Sequence, residues 1–234
     1  MDLFFHNTID LKNPAFVFSD EESRHLSKVL RKQPGDLVAV TDGKGLEVHI
    51  QIQNISSRKT NGHLVETIVH PAPKHQTHIA IAPTKNNVRL EWFLEKATEI
   101  GIHRITPLLC QHSERKVIKH DRLTKILQAA LKQSQQFHLP QLDELISFET
   151  FVAQQKKGYI AHCNTGEKFD LADIAATEKS NCILIGPEGD FSVDEVTFAE
   201  KNNFQSISLG SQRLRTETAA LVACHTLSLI HRNI

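Results

Sequence analysis

Cys182-Ile183-Leu184-Ile185-Gly186-Pro187-Glu188-Gly189-Asp190-Phe191-Ser192 is a short apolar run that empties into a glycine-flanked turn and then into a helix start. Ile185 ends a buried strand. Gly186 and Gly189 let the backbone approach a ligand closely, and Pro187 stiffens the turn. Ser192 with Glu195 makes a capping box, and Phe191 and Val196 occupy the staple positions around it. The same succession recurs at Ile207-Ser208-Leu209-Gly210-Ser211-Gln212-Arg213-Leu214-Arg215-Thr216-Glu217-Thr218-Ala219-Ala220. Gly210 permits a second close approach, Thr216 reads as an N-cap, and Glu217 sits favourably in the first helical turn. Open α/β sheets bind ligands at loops on the carboxyl ends of strands, so two such loops predict one shared pocket. Neither G-x-G-x-x-G nor G-x-x-x-x-G-K-[ST] occurs, which excludes the two familiar nucleotide cradles. Arg213 and Arg215 beside a glycine cradle point to an anionic substrate. Ala219, Ala220 and Ala223 give a slim helix face suited to packing against a loop or another subunit.

Outward from these loops the pattern alternates strand and helix. Ile79 to Pro83, Ile105 to Leu109, Tyr159 to His162, Cys182 to Ile185 and Ser206 to Leu209 read as strands. Asn87 to Ile100, closed by Gly101, reads as a helix with Leu90, Phe93, Leu94, Ala97 and Ile100 inward. Further helices are expected from Asp121 to about Phe137, Val193 to Lys201 and Thr216 to Ile230. This alternation implies a parallel sheet covered on both faces.

His70-Pro71-Ala72-Pro73-Lys74 is the best linker candidate, because two closely spaced prolines resist both helix and central strand. It divides residues 1–72 from residues 73–234. The first part reads mostly as β: Leu37 to Thr41, Leu46 to Ile52 and His63 to Val69, with Asp42-Gly43-Lys44-Gly45 as a hairpin turn. One helix interrupts it, started by a capping box of Ser19 and Glu22. Leu26, Val29 and Leu30 are expected on one face, with Arg24, Lys28, Arg31 and Lys32 opposite. That basic face is either an ordinary solvated surface or a phosphate-contacting stripe.

The 234 residues carry 27 Lys plus Arg against 27 Asp plus Glu, so net charge announces no polyanion partner. Any nucleic-acid contact must then come from a local patch. Fourteen histidines leave the charge sensitive to mildly acidic pH. Cysteines 110, 163, 182 and 224 include no C-x-x-C, and His112, His120 and His138 share no ligand spacing. Reduced thiols in a cytoplasmic protein without a metal are expected. No signal-peptide core and no membrane-length apolar run is present, so no membrane partner is expected.

The runs Ile185 to Ser192 and Leu209 to Ala219, with Glu95-Lys96-Ala97-Thr98-Glu99-Ile100-Gly101, resemble those of the RsmE family. Ser23-Arg24-His25-Leu26, Val29-Leu30-Arg31 and Gly35-Asp36 are similar to its N-terminal signature. The likeness runs in the family's order over nearly the whole chain. It implies a SPOUT-class methyltransferase that moves methyl from S-adenosylmethionine to N3 of a uridine in 16S ribosomal RNA, within the small subunit. It implies an α/β fold with a PUA-like RNA-binding β-barrel and a C-terminal parallel-sheet domain holding a deep trefoil knot, an exception to the no-threading rule. It also implies homodimers through the knotted domain.

The resemblance places the donor against Ile185, Gly186, Pro187, Glu188, Gly189, Leu209, Gly210, Ser211, Leu214, Arg215, Thr216 and Ala219. RNA would meet Arg24, His25, Lys28, Arg31, Lys32 and Arg213. Arg215 is the candidate for stabilising charge on the uracil oxygens. Glu217 or Glu188 is the candidate acceptor of the N3 proton, with Glu217 equally readable as a partner of the helix dipole. Three departures stand out. Asp190 occupies a position where the family often has glycine, at a loop exit where tolerance is expected. Gln136 replaces an Arg, removing a contact to RNA or structure. Asp2-Leu3-Phe4-Phe5 lacks the usual basic residue. A knotted ribose 2′-O-methyltransferase and a non-catalytic RNA-binding assembly factor remain alternatives.

Overall fold

The computed structural model of the chain describes residues 1–174 and 180–232. They fall into two compact units: Met1–Ala72 with Leu131–Leu139, and Pro73–Ala130 with Pro140 onward.

The first unit is one sheet in the order β1-β3-β4-β5-β2, formed by β1 (Leu3–Phe5), β2 (Ala15–Val17), β3 (Leu37–Thr41), β4 (Leu46–Asn54) and β5 (Asn61–Val69). The expected hairpin joins β3 to β4. Asp42 Oδ1 accepts from Lys44 N at 2.7 Å and Leu46 N at 3.2 Å, and Gly43 and Gly45 take φ of 71° and 97°. Register shifts at His49/Ile50 and Ile52/Asn54 bend the β4–β5 pair, as bulges do. Alternate residues Val38, Val40, Val48, Ile50 and Ile52 pack with Phe4, Phe18 and Leu26 into the core. Leu3 and Ala39 are covered by Leu131, with Phe5, Phe137 and Leu139 alongside. That explains why residues 131–139 group here. The three-residue strands β1 and β2 are too short to show a period in sequence.

The helix of this unit departs from its expected phase. The Ser19–Glu22 capping box forms over α1 (Asp20–Arg24), but a π-helical turn follows at His25–Val29. Leu30 N donates to His25 O, five residues back, at 3.0 Å. The extra residue per turn rotates Val29 outward, where it is 67% exposed, while Leu26 stays buried. Arg31, at φ 52°, lies beyond the helix end rather than on its opposite face.

The second unit is a wholly parallel sheet in the order β11-β13-β10-β12-β6-β7-β8. Its strands are β6 (Gln76–Ile81), β7 (Arg104–Leu109), β8 (Gln141–Leu142), β10 (Gly158–Ala161), β11 (Phe169–Asp170), β12 (Ser180–Ile185) and β13 (Phe204–Ser208), with β9 (Ile146–Ser147) also on β7. Helices α4 (Phe148–Gln154) and α6 (Val193–Lys201) cover one face over Ala80, Leu108, Ile160, Leu184 and Phe204. On the other face α7 (Thr216–Arg232) packs on β6, β12 and α2 (Asn87–Ile100). Also among the described residues are α3 (His120–Gln133) and α5 (Leu171–Ile174). Gly101 ends α2 at φ 94°, as its position in sequence requires. α3 stops at Gln133, four residues short of expectation, where Gln136 N returns to Leu131 O and Gln135 takes φ 52°.

Strand order decides where the site lies. β10 sits between β12 and β13, so its carboxyl end is flanked by the two glycine loops.

Candidate functional site

At the carboxyl ends of β10, β12 and β13 lies a cavity of about 550 Å³, the size of a small-molecule site. Ile185, Gly186, Pro187 and Glu188 of the first loop line it, as do Leu209, Gly210, Ser211, Leu214, Arg215, Thr216 and Ala219 from the second. The two loops meet at one buried bond. Thr216 Oγ1 donates to Gly186 O at 3.0 Å. Thr216 therefore serves the other loop, where the sequence had it capping its own helix.

The first loop is held at several points. Asp190 N donates to Pro187 O at 2.9 Å, and Lys85 N donates to Glu188 Oε1 at 3.0 Å. Arg115 holds that Lys85 turn through Thr84 O at 3.1 Å and Lys85 O at 2.6 Å. The expected Ser192–Glu195 capping box is formed, and the buried Glu195 also accepts from Gln111 N at 2.8 Å. Phe191 and Val196 are buried at the staple positions. A Cβ on Gly186 would meet Phe191 at 3.1–3.2 Å, so the close approach there belongs to the protein's own ring.

The structure adds a third wall. Ala161, His162, Cys163 and Lys168, following β10, also line the cavity, with Asp190, Ile207, Ser208 and Gln212. His162 Nε2 lies 2.9 Å from Ser206 Oγ, which donates to Glu200 Oε1 at 2.7 Å. Burial, with Lys168 nearby, lowers its pKa, so the ring is neutral at neutral pH. No local motif marked this wall, since its glycine-free strand end adjoins the loops only through the sheet order.

Two predicted site residues stand elsewhere. Glu217 is buried off the cavity, with Oε1 3.7 Å from Arg89 Nε. Its role as partner of the α7 N-terminus fits this burial better than proton transfer does. Gly189 backs onto His112, whose Cβ would lie 3.2 Å from an added Cβ. Arg213, expected to meet RNA, lines the cavity. Ala220 and Ala223 are fully buried within the fold, so their slim face is occupied.

In the first unit Arg24, His25, Lys28 and Arg31 are exposed. Lys32 is committed to Asp2 at 2.9 Å, which gives the acidic N-terminal departure a partner. All four cysteines are free; Cys110 and Cys224 are buried and Cys163 is exposed. Burial pushes the Cys182 and Cys224 thiols up to about 12. Among the described residues no group of three or more His, Cys, Asp or Glu is placed to hold a metal, and no helix is long and apolar enough to cross a membrane.

The profile of the RNA methyltransferase domain matches residues 70–228, and that of the RNA methyltransferase PUA domain matches residues 18–60. Ribosomal RNA small subunit methyltransferase E of Rickettsia conorii is 30% identical over 91% of this chain and 88% of its own. A crystal structure of a probable rRNA-methyltransferase from Porphyromonas gingivalis superposes with TM-score 0.90 at 36% identity, covering 98% of this chain and 99% of that one. A ribosomal RNA small subunit methyltransferase E from Neisseria gonorrhoeae, solved bound to S-adenosyl methionine, gives TM-score 0.83 at 25% identity over 96% and 95% of the two chains.

Proposed function

The chain belongs to the ribosomal RNA small subunit methyltransferase E family, and from that premise we propose that it methylates N3 of a uridine in 16S ribosomal RNA with S-adenosylmethionine as donor. The observation that carries this reading is the Thr216–Gly186 bond, which gathers both glycine loops around one cavity. The residues present fit the donor. The cavity offers glycine backbone, apolar walls at Ile185, Leu209 and Leu214, and both cations and carboxylates for a zwitterion.

The donor supplies an electrophilic methyl on a sulfonium. The chain's own residues supply position and charge. Gly186 and Pro187 shape one side of the cavity and Gly210 the other, and in-line placement between them provides much of the acceleration. Arg215 faces the cavity as the group for negative charge developing on the uracil oxygens. Glu188 is the acceptor for the N3 proton, directly or through water, because Glu188 lines the cavity and Glu217 does not.

Residues 1–72 act in this reading as a PUA-like barrel that holds RNA, and residues 73–234 as the methyltransferase domain. Arg24, Lys28 and Arg31, exposed and without an ion pair among the described residues, grip phosphates. The trefoil knot is supported by chain order. After β13, on the far side of β10, the chain returns past Gly186 to pack α7 on α2 and β6. Dimerisation through this domain is supported by Val88, Trp92 and Leu229, exposed apolar residues on the paired helices α2 and α7. The place of action is the cytoplasm, on the small ribosomal subunit.

The test is methyl transfer from labelled donor to small subunits and to free rRNA, with digestion to nucleosides and mass analysis. N3-methyluridine is expected. A ribose-methylated product would move the chemistry to a 2′-oxygen, and no donor binding would leave an RNA-binding assembly factor.

A further inference from the structure

Asp190 does more than follow a turn. Its φ of 65° is the left-handed region, which glycine enters freely and aspartate tolerates at modest cost. Glycine would meet that backbone requirement, so the geometry alone does not call for a carboxylate. The carboxylate nonetheless has defined partners. Oδ2 accepts from Cys163 N at 2.7 Å, and Oδ1 from Phe191 N at 2.8 Å. Its carbonyl accepts from His112 Nδ1 at 3.0 Å. Cys163 opens the loop that follows β10 and carries Lys168 to the cavity. Asn164 adds a weaker tie to Phe191 O at 3.4 Å. The first glycine loop and the third wall are thus joined across 27 residues of sequence by one short charged hydrogen bond.

Resting on the methyl-donor reading above, we propose that Asp190 is a positioning residue that latches the loop after β10 against the first glycine loop, closing the third wall of the donor cavity. Donor affinity in this chain then depends on a side-chain oxygen that reaches the loop's amide rather than on the turn conformation itself. A charge-assisted hydrogen bond is among the stronger single contacts available to a loop. Removing its acceptor leaves Cys163 N–H bare and frees Lys168 to move with the loop.

The test compares the full chain with Asp190→Gly and Asp190→Asn. Glycine suits the φ but has no acceptor; asparagine tolerates the φ and keeps an oxygen facing Cys163. Calorimetry with S-adenosylmethionine, amide hydrogen exchange at Cys163 without donor, and kcat with donor KM are the readouts. Asp190→Gly should weaken donor binding on the order of tenfold and hasten exchange at Cys163, with a larger change in donor KM than in kcat. Asp190→Asn should restore most of the affinity and the protection. Wild-type donor affinity in Asp190→Gly overturns the latch. So does weakened binding with Cys163 exchange unchanged, or an asparagine variant as weak as the glycine one. Absence of donor binding by the wild-type chain would instead sink the methyl-transfer reading. Exchange at Cys163 in the glycine variant would still report whether the clasp exists.

Discussion

The two glycine loops look alike in sequence and differ in how they are held. From Gly186 to Ser192 the first loop is pinned by its own turn, by Lys85, by the Glu195 box and by Asp190 to Cys163. Gly186 and Pro187 are buried. The second loop leaves Gly210 to Arg213 exposed. Its hydrogen bonds among the described residues are at its ends: Ser208 with Gly210 before the turn, Thr216 with Gly186 after it. One loop is a preformed seat and the other a strap fastened at both ends. Ordering such a strap costs conformational entropy on binding, so its residues suit interactions made late in the reaction.

The largest expected effect tests that division of labour. Arg215→Ala should lower turnover by roughly a hundredfold or more, as loss of one group facing developing charge does. Donor affinity should shift less than about threefold. Equal losses in kcat and donor binding would show the strap to be part of the seat. Next in size is Thr216→Val, which keeps the shape and removes the hydroxyl that joins the loops. The Gly186 carbonyl left buried without its donor costs about 1–3 kcal/mol. Donor binding by calorimetry should weaken about tenfold, and Thr216→Ser should recover it. A valine variant with unaltered affinity would mean that the loops keep their places independently.

The seat was more legible than the strap, and both more than the third wall. Capping boxes at Ser19–Glu22 and Ser192–Glu195 and the Gly101 stop are set by neighbours in sequence, and all three are found. The central strands follow from apolar runs, with ends displaced by one to three residues where flanking polar residues join the ladder. Thr216 was placed at the right junction but with the wrong partner, since sequence shows a helix start and not the carbonyl thirty residues earlier in the chain. Glu217 looked available because first-turn carboxylates are usually solvated; packing of α7 on α2 buries it beside Arg89. Val29 went outward because a π-turn changes the period, and periodicity assumes a constant one. Ala161 and His162 fell within an expected strand, but nothing local marked them or Cys163 as part of the site. Their place depends on β10 lying between β12 and β13, a non-local pairing no spacing encodes.

The smaller effects sharpen the contrast with one substitution in each loop. Gly186→Ala brings a Cβ to 3.1–3.2 Å from the Phe191 ring and 3.2 Å from its backbone nitrogen. Phe191 is buried and anchors the cap, so it has little room to yield, and a cost of about 1–3 kcal/mol is expected. Gly210→Ala meets nothing within 4 Å, and its penalty comes from φ of 116° alone. A loop fastened only at its ends can spread that strain over several exposed residues. About 1 kcal/mol or less is therefore expected, or 2–4 °C in melting temperature at most for a chain of this size. Melting curves of the two variants decide it. If Gly210→Ala proves as costly as Gly186→Ala, the second loop is as rigid as the first, and the distinction between seat and strap is lost.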